Sequence, residues 1–267
     1  MNAIEQQLQY EKRNRVSFIV TVVVIFIMLV WSASAINLEN MAANGLDIAK
    51  NIILGILSPD WSLILDFKGG VPYLLVETMA IAFLGTIIGA IIAIPLAFLS
   101  ASNVVPKPVA YIVRLFLILV RTIPAIVYGL MFIRVTGPGP AAGVLTMAFV
   151  SIGMLAKLYV DIIEELDRSV LESMTSIGCN MFEKIRFGII PQLSALFLSI
   201  VIYRFDMNLR DASVLGLVGA GGIGAPLIFA MNSYRWSQVG SILIGLILLI
   251  LIVEFVSNKI RAKIVKG

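Results

Sequence analysis

The stretch ASVLGLVGAGGIGAPLIFAM, residues 212–231, decides how many times this chain crosses a membrane. It carries no charge, and hydropathy alone counts it as a span. Gly216, Gly219, Gly221, Gly222 and Gly224, followed by Pro226, argue against a continuous helix. An interior glycine costs about 1 kcal/mol and an interior proline about 3 kcal/mol relative to alanine. The stretch is therefore read as an irregular element, and the spans are counted around it.

Apolar runs at 16–36, 73–99, 109–133, 141–160, 191–211 and 238–257 remain. A span needs roughly 20 apolar residues. Of 267 residues, 60% are apolar and 13% charged, against about 45–50% and about 25% in soluble domains. An all-α integral membrane protein with six spans is expected. Six spans leave both termini on one side, together with Lys12, Arg13, Arg15, Lys107, Lys157, Arg168, Lys184, Arg186, Lys259, Arg261, Lys263 and Lys266. Only Lys50, Lys68, Arg134 and Arg235 fall on the other side. Basic residues concentrate in cytoplasmic segments, so both termini are expected in the cytoplasm. A seventh span would carry the basic tail outside. The expected organisation is an N-terminus and first span at 1–36, an external and partly amphipathic linker at 37–70, a membrane core at 71–258 and a basic tail at 259–267. Ser32-Ala33-Ser34-Ala35 leaves open a cleaved signal peptide in place of the first anchor.

Composition also excludes chemistry. The chain has no histidine and one cysteine, Cys179. Histidine triads, HExxH zinc sites, intrachain disulfides and cysteine metal clusters are excluded. No Gly-Lys dipeptide occurs, so there is no Walker A loop. No metal or cofactor is expected in this chain, and no nucleic-acid partner. Gly219–Gly224 satisfies GxGxxG formally, but no strand precedes it and the next acidic residue is Glu254. A dinucleotide site is rejected.

Two segments carry candidate function. In the loop 161–190, Gly178 suits a helix stop, and Asn180 with Glu183 forms a capping-box pattern. Pro191 suits the first turn of the next span. A short helix at about 181–189 is expected between two breaks, with Met181, Phe182, Ile185 and Ile189 on an apolar face. It suits a groove in a partner, or it lies against the bundle itself. In the run Tyr203–Asp211, a mid-helix arginine costs roughly 2.5–3.5 kcal/mol on insertion scales and should face the bundle or a wet cavity. Arg204, Asn208 and Asp211 share one face, while Asp206 and Arg210 are spaced to pair on another. A polar pathway wall and a set of structural salt bridges both remain open. Arg114 and Arg121 share a face, and Arg114 is expected to pair with Glu77 or to snorkel. Arg121 is an anion candidate. The glycines of 216–224 suit an unwound constriction or gate near the outer surface.

Glu172, Gly178 and Pro191 stand at the spacing of the EAA loop of bacterial ABC-importer permeases, which this segment resembles. It departs at Ser173 and Met174, where alanines are usual, and at Gly188, where isoleucine is usual. The run from Tyr203 into Gly224, then Tyr234-Arg235-Trp236, and Arg121-Thr122-Ile123-Pro124, resemble the phosphonate-importer permeases. The resemblance implies a loop that docks on a cytoplasmic ABC ATPase dimer, which binds the ATP and magnesium. It also implies an external substrate-binding protein, a second copy of this chain and alternating access in a bacterial cell membrane. The implied substrate is a phosphonate or related phosphorus oxyanion. A permease of the same fold for another solute, such as methionine, is the first alternative. A membrane enzyme on lipid phosphates is the second, with Asp161, Glu164, Glu165 and Asp167 as its only acidic cluster.

Overall fold

The computed structural model describes residues 3–35 and 45–266. The first part of the linker read at 37–70, the last residue of the anchor read at 16–36, and Gly267 lie outside the described residues. Contacts divide the chain into two units, 1–50 and 51–267. The first contributes helix α1 (Ala3–Ala35), whose apolar residues from Phe18 to Trp31 are all exposed.

All described elements are helical. After α2 (Gly45–Leu57) and α3 (Trp61–Leu65) come α4 (Val71–Ser100), α5 (Lys107–Thr122), α6 (Ala125–Thr136) and α7 (Pro140–Glu164). Then follow α8 (Arg168–Ser176), α9 (Met181–Glu183), a π turn (Lys184–Ile189), α10 (Ile190–Leu215), a 3-10 turn (Gly216–Val218), α11 (Gly224–Asn232) and α12 (Trp236–Lys266). Six helical segments are long and apolar enough to cross a membrane, or seven with the bent pair α5–α6.

The set of six differs from the sequence expectation in two places. Residues 47–65, read as linker, qualify by length and apolarity. The run 109–133, read as one span, is α5 and α6 bent by 86°. The cause is Pro124. The residue before a proline is pushed out of the α region, and Ile123 is extended at φ −86°, ψ 126°. Pro124 also has no N–H to give the Val120 carbonyl four residues back. The buried Tyr128 hydroxyl donates to that carbonyl instead, at 3.0 Å.

α4 and α7 form the centre of the bundle. A Cβ on Gly85 would lie 2.3 Å from Met147 Cβ, and one on Gly89 would lie 2.7 Å from Ser151 Cβ. Both helices advance four residues between these contacts, so they run parallel, and the small-residue pair lets them approach closely. α10 runs antiparallel to them. One core cluster sits where α4 and α7 end, around Ala97, Leu155, Tyr159, Ile163 and Ile189. A second lies nearer their beginnings, around Ile81, Met147, Leu209 and Leu215. A third joins Val71 and Ile223 to Val239 and Ile242 of α12.

One further expectation is corrected. No break separates 181–189 from α10. The π turn carries the helix through to Pro191, with the Ile190 N–H donating five residues back to Ile185. A wider turn is one way to admit a proline that cannot donate. The basic tail read at 259–267 is helical to Lys266, and Arg261 turns back onto α10.

Candidate functional site

The Gly178 loop and the glycine stretch sit at opposite ends of the helix that includes α10, and the run Tyr203–Asp211 lies within it. At its C-terminal end the chain unwinds as the glycines require. Gly219, Gly221 and Gly222 have φ of 92°, 81° and 74°, values that side-chain-bearing residues rarely adopt. The loop is pinned from two sides. The Gly222 N–H donates to Glu77 Oε1 and the Ile223 N–H to Thr78 Oγ1, both at 2.9 Å. The Gly139 N–H donates to the Gly219 carbonyl at 2.9 Å. A Cβ on Gly216 would meet Gly224 Cα at 2.6 Å, so these two glycines close the base of the turn. Glu77 lies just ahead of α11, at the end of a helix that favours negative charge.

In the middle of α10 lies a buried polar cluster. Arg204 is 3% exposed. Its Nε donates to Ser151 Oγ at 3.1 Å, and it reaches Asp211 at 4.0 Å. Asn208, fully buried, donates to Ser151 Oγ and Thr86 Oγ1, both at 2.7 Å. Arg204 and Asn208 thus share a face turned into the bundle against α4 and α7, and Asp211 stands half-exposed at its edge. The expected pair Asp206–Arg210 is absent. Asp206 instead meets Arg261 at 3.7 Å, and Arg210 meets Glu254 at 3.0 Å. Both partners come from α12, whose path beside α10 the sequence alone did not give. Arg114 pairs with Glu164 at 2.5 Å, not with Glu77. Arg121 is exposed, with its carbon stem laid over Gly153.

At the other end, α8 stops in the way its glycine predicts. Gly178 has φ 84°, its N–H donates to the Thr175 carbonyl, and the Cys179 N–H donates to Met174, both at 3.0 Å. These are the two hydrogen bonds of a glycine-terminated helix. Asn180 Oδ1 accepts from the Glu183 N–H at 2.9 Å, and Glu183 Oε2 accepts from the Asn180 N–H at 2.7 Å. The expected apolar face divides. Ile189 is buried and Ile185 packs on the core beside it. Met181 and Phe182 point outward, as do Ile177 and Phe187, which the periodicity did not single out. Glu172, Met181 and Lys184 line an open cavity of about 420 Å³ with Ser102, Asn103 and Lys107.

The departures from the loop pattern meet in space. A Cβ on Gly188 would lie 2.5 Å from Met174 Sδ. Met174 fills the room that Gly188 leaves. Glu77 and Thr78 were not marked as clamps, because their partners lie 145 residues away. Among the described residues, no group of three or more histidine, cysteine or acidic side chains is placed to hold a metal.

Residues 93–266 match the family model described as binding-protein-dependent transport system inner membrane component. The chain belongs to this family. It is similar to a "Putative phosphite transport system permease protein HtxC" of Stutzerimonas stutzeri, 32% identical over 93% of this chain and 87% of that protein. It is also similar to a "Phosphate-import permease protein PhnE" of Mycolicibacterium smegmatis, 36% identical over 74% of this chain, which spans 37% of that longer protein. The fold matches an inward-facing MetNI methionine ABC transporter chain with TM-score 0.63 at 18% identity, over 73% of this chain and 95% of that one. The protein is the permease subunit of an ABC importer, an inner-membrane component whose relatives include permeases named for phosphite, phosphate and phosphonate.

Proposed function

We propose that two copies of this permease enclose the path for a phosphorus oxyanion, a phosphonate or phosphite, and move it by alternating access. The observation that carries the substrate class is the 32% identity over 93% of the chain to a phosphite permease. The glycine loop at 216–224 forms the outer gate. The exposed loop residues Ile177, Phe182 and Phe187, beside Glu172 and the Asn180–Glu183 cap, dock on a cytoplasmic ABC ATPase dimer. Both termini lie on that cytoplasmic side. ATP and magnesium belong to the ATPase, and substrate arrives from an external binding protein. Closure of the ATPases draws the two loops together, and the helix that runs unbroken from α9 at Met181 through the π turn and α10 to Leu215 carries the movement to the glycine loop at its far end. A helix without a break transmits displacement along its axis, and this continuity supports the coupling.

The test is uptake into proteoliposomes holding the permease and its ATPase, with the binding protein added outside. ATP-dependent uptake of labelled phosphite or methylphosphonate, without uptake of methionine or choline, supports the reading. Uptake of methionine or choline in preference to any phosphorus oxyanion contradicts it.

A further inference from the structure

A second cavity, of about 230 Å³, opens between α5 and α7 near the end of the bundle that carries the Gly178 loop. Three of its lining residues are cations: Arg114, Arg121 and Lys157. Its single lining anion is Glu164, and its remaining walls are Leu117, Ile118 and Val160. With 3 cations and 1 anion, the lining carries a net charge of +2.

The pairing of these charges is uneven. Arg114 is held by Glu164 at 2.5 Å and donates through Nε to the Ser100 carbonyl at 2.8 Å. Glu164 also accepts from the Ser102 N–H at 2.7 Å through the same Oε1 that holds Arg114, so the anion is anchored at the Arg114 end of the cavity. Lys157 pairs with Asp161 one turn on, both half-exposed. Arg121 has no acidic partner among the described residues. It lies seven residues, two turns, from Arg114 along α5. Its stem is seated on Gly153, where an added Cβ would come 2.6 Å from Arg121 Cγ. The outer face of α5 is apolar, with Ile112, Leu115, Ile118 and Leu119 exposed. An unpaired arginine beside an apolar surface calls for an anion that comes from outside the chain. Guanidinium groups bind phosphate oxygens bidentately, and basic pockets between membrane helices take anionic head groups.

We propose that this cavity binds a phosphate-type anion, with Arg121 as the primary contact and Lys157 as the second. The chemistry is shared by the head group of an anionic lipid and by a free phosphorus oxyanion after transport. The lipid source is independent of the proposed substrate, whereas the free-anion source rests on it.

The test uses the full-length permease in complex with its ATPase. In one arm the complex is equilibrated with equimolar phosphatidylglycerol and phosphatidylcholine, and retained lipid is counted by native mass spectrometry. In the other arm, binding of labelled inorganic phosphate and phosphite is measured in neutral detergent. Arg121→Gln is expected to weaken one of the two by about fivefold, and Arg121→Lys, which keeps the charge but not the bidentate fork, to restore only part of it. Gly153→Ala, which displaces the Arg121 stem and leaves the charge, is expected to weaken the same arm. A loss confined to phosphatidylglycerol assigns the lipid, and a loss confined to phosphate or phosphite assigns the free anion. If neither arm depends on Arg121 in variants that still assemble with the ATPase, the proposal is overturned. Wild-type uptake of phosphite alongside that result leaves the transport reading intact.

Discussion

The Glu77 carboxylate accepts a 2.9 Å hydrogen bond from the backbone N–H of Gly222, and Thr78 takes the next N–H in the same way. One turn of α4 thereby fixes the geometry of the glycine loop. The contact combines a charge-assisted hydrogen bond, worth about 1.5–3 kcal/mol, with a favourable helix dipole. Glu77→Ala is expected to lower the melting temperature of the purified permease and to loosen the loop. Hydrogen exchange at Gly222 and Ile223 checks this directly. Glu77→Gln keeps the acceptor and is expected to lose less than half as much.

Gly188 and Met174 fill one site between them. Met174 is half-buried, so Met174→Ala is expected to cost about 1 kcal/mol, below the range for a fully buried methionine. Gly188→Ile alone forces the methionine tip aside. The double variant, which matches the usual residues of the loop at these two positions, is expected to be more stable than the sum of the singles. Neighbours in contact couple by about 0.5–3 kcal/mol. A double-mutant cycle on thermal unfolding measures it.

Arg204 and Arg210, six residues apart, are expected to behave oppositely. Arg204 fills a core site against Ser151 and Met154. Its replacement by alanine is expected to cost about 2–5 kcal/mol, the range for emptying a filled core position. Arg204→Met, which refills the volume, is expected to recover much of that. Arg210 and Glu254 are each about half exposed, so Arg210→Ala is expected to cost less than about 1 kcal/mol. Unfolding in detergent separates the two.

Most of the fold could be read from apolar run lengths and breakers. Of the stretch 212–231 only 216–223 is irregular, since 212–215 end α10 and 224–231 form α11; that irregularity, the stop at Gly178 and the cap at Asn180 are local effects of glycine and short polar side chains, and such effects are visible in one window of sequence. What escaped was set by distance. Asp206 and Arg210 have the right spacing to pair on α10, yet α12 brings Arg261 and Glu254 closer to them. Glu77 reads as a partner for Arg114 until the glycine loop arrives beside it from 145 residues away. The break at Pro124 is local to the proline, but the Tyr128 hydroxyl that takes up the orphaned Val120 carbonyl comes from the next helix.

Asp167 caps α8 through a 2.9 Å hydrogen bond from the Ser169 N–H. That bond, with a second from the Ser169 side chain, holds its pKa below the usual carboxylate value. A lowered folded pKa stabilises above the unfolded value, about 3.9, and the contribution is lost as pH falls through the lower folded value. The cap is therefore expected to be constant from pH 5 to pH 8 and to fray below about pH 4. Amide exchange along α8 measures this. Asp167→Asn, which retains an acceptor, is expected to remove the pH dependence.

The coupling role of the 161–190 loop is the centre of the account. The direct measurement is affinity purification of the full chain from its native membrane in mild detergent, with partners identified by mass. The account predicts an ATPase bearing a GxxxxGK[ST] loop in equal amount, lost when Phe182 and Phe187 are both replaced by serine. A chain that assembles normally with the ATPase after both replacements contradicts the docking surface, and one that purifies alone after crosslinking contradicts the importer assembly itself.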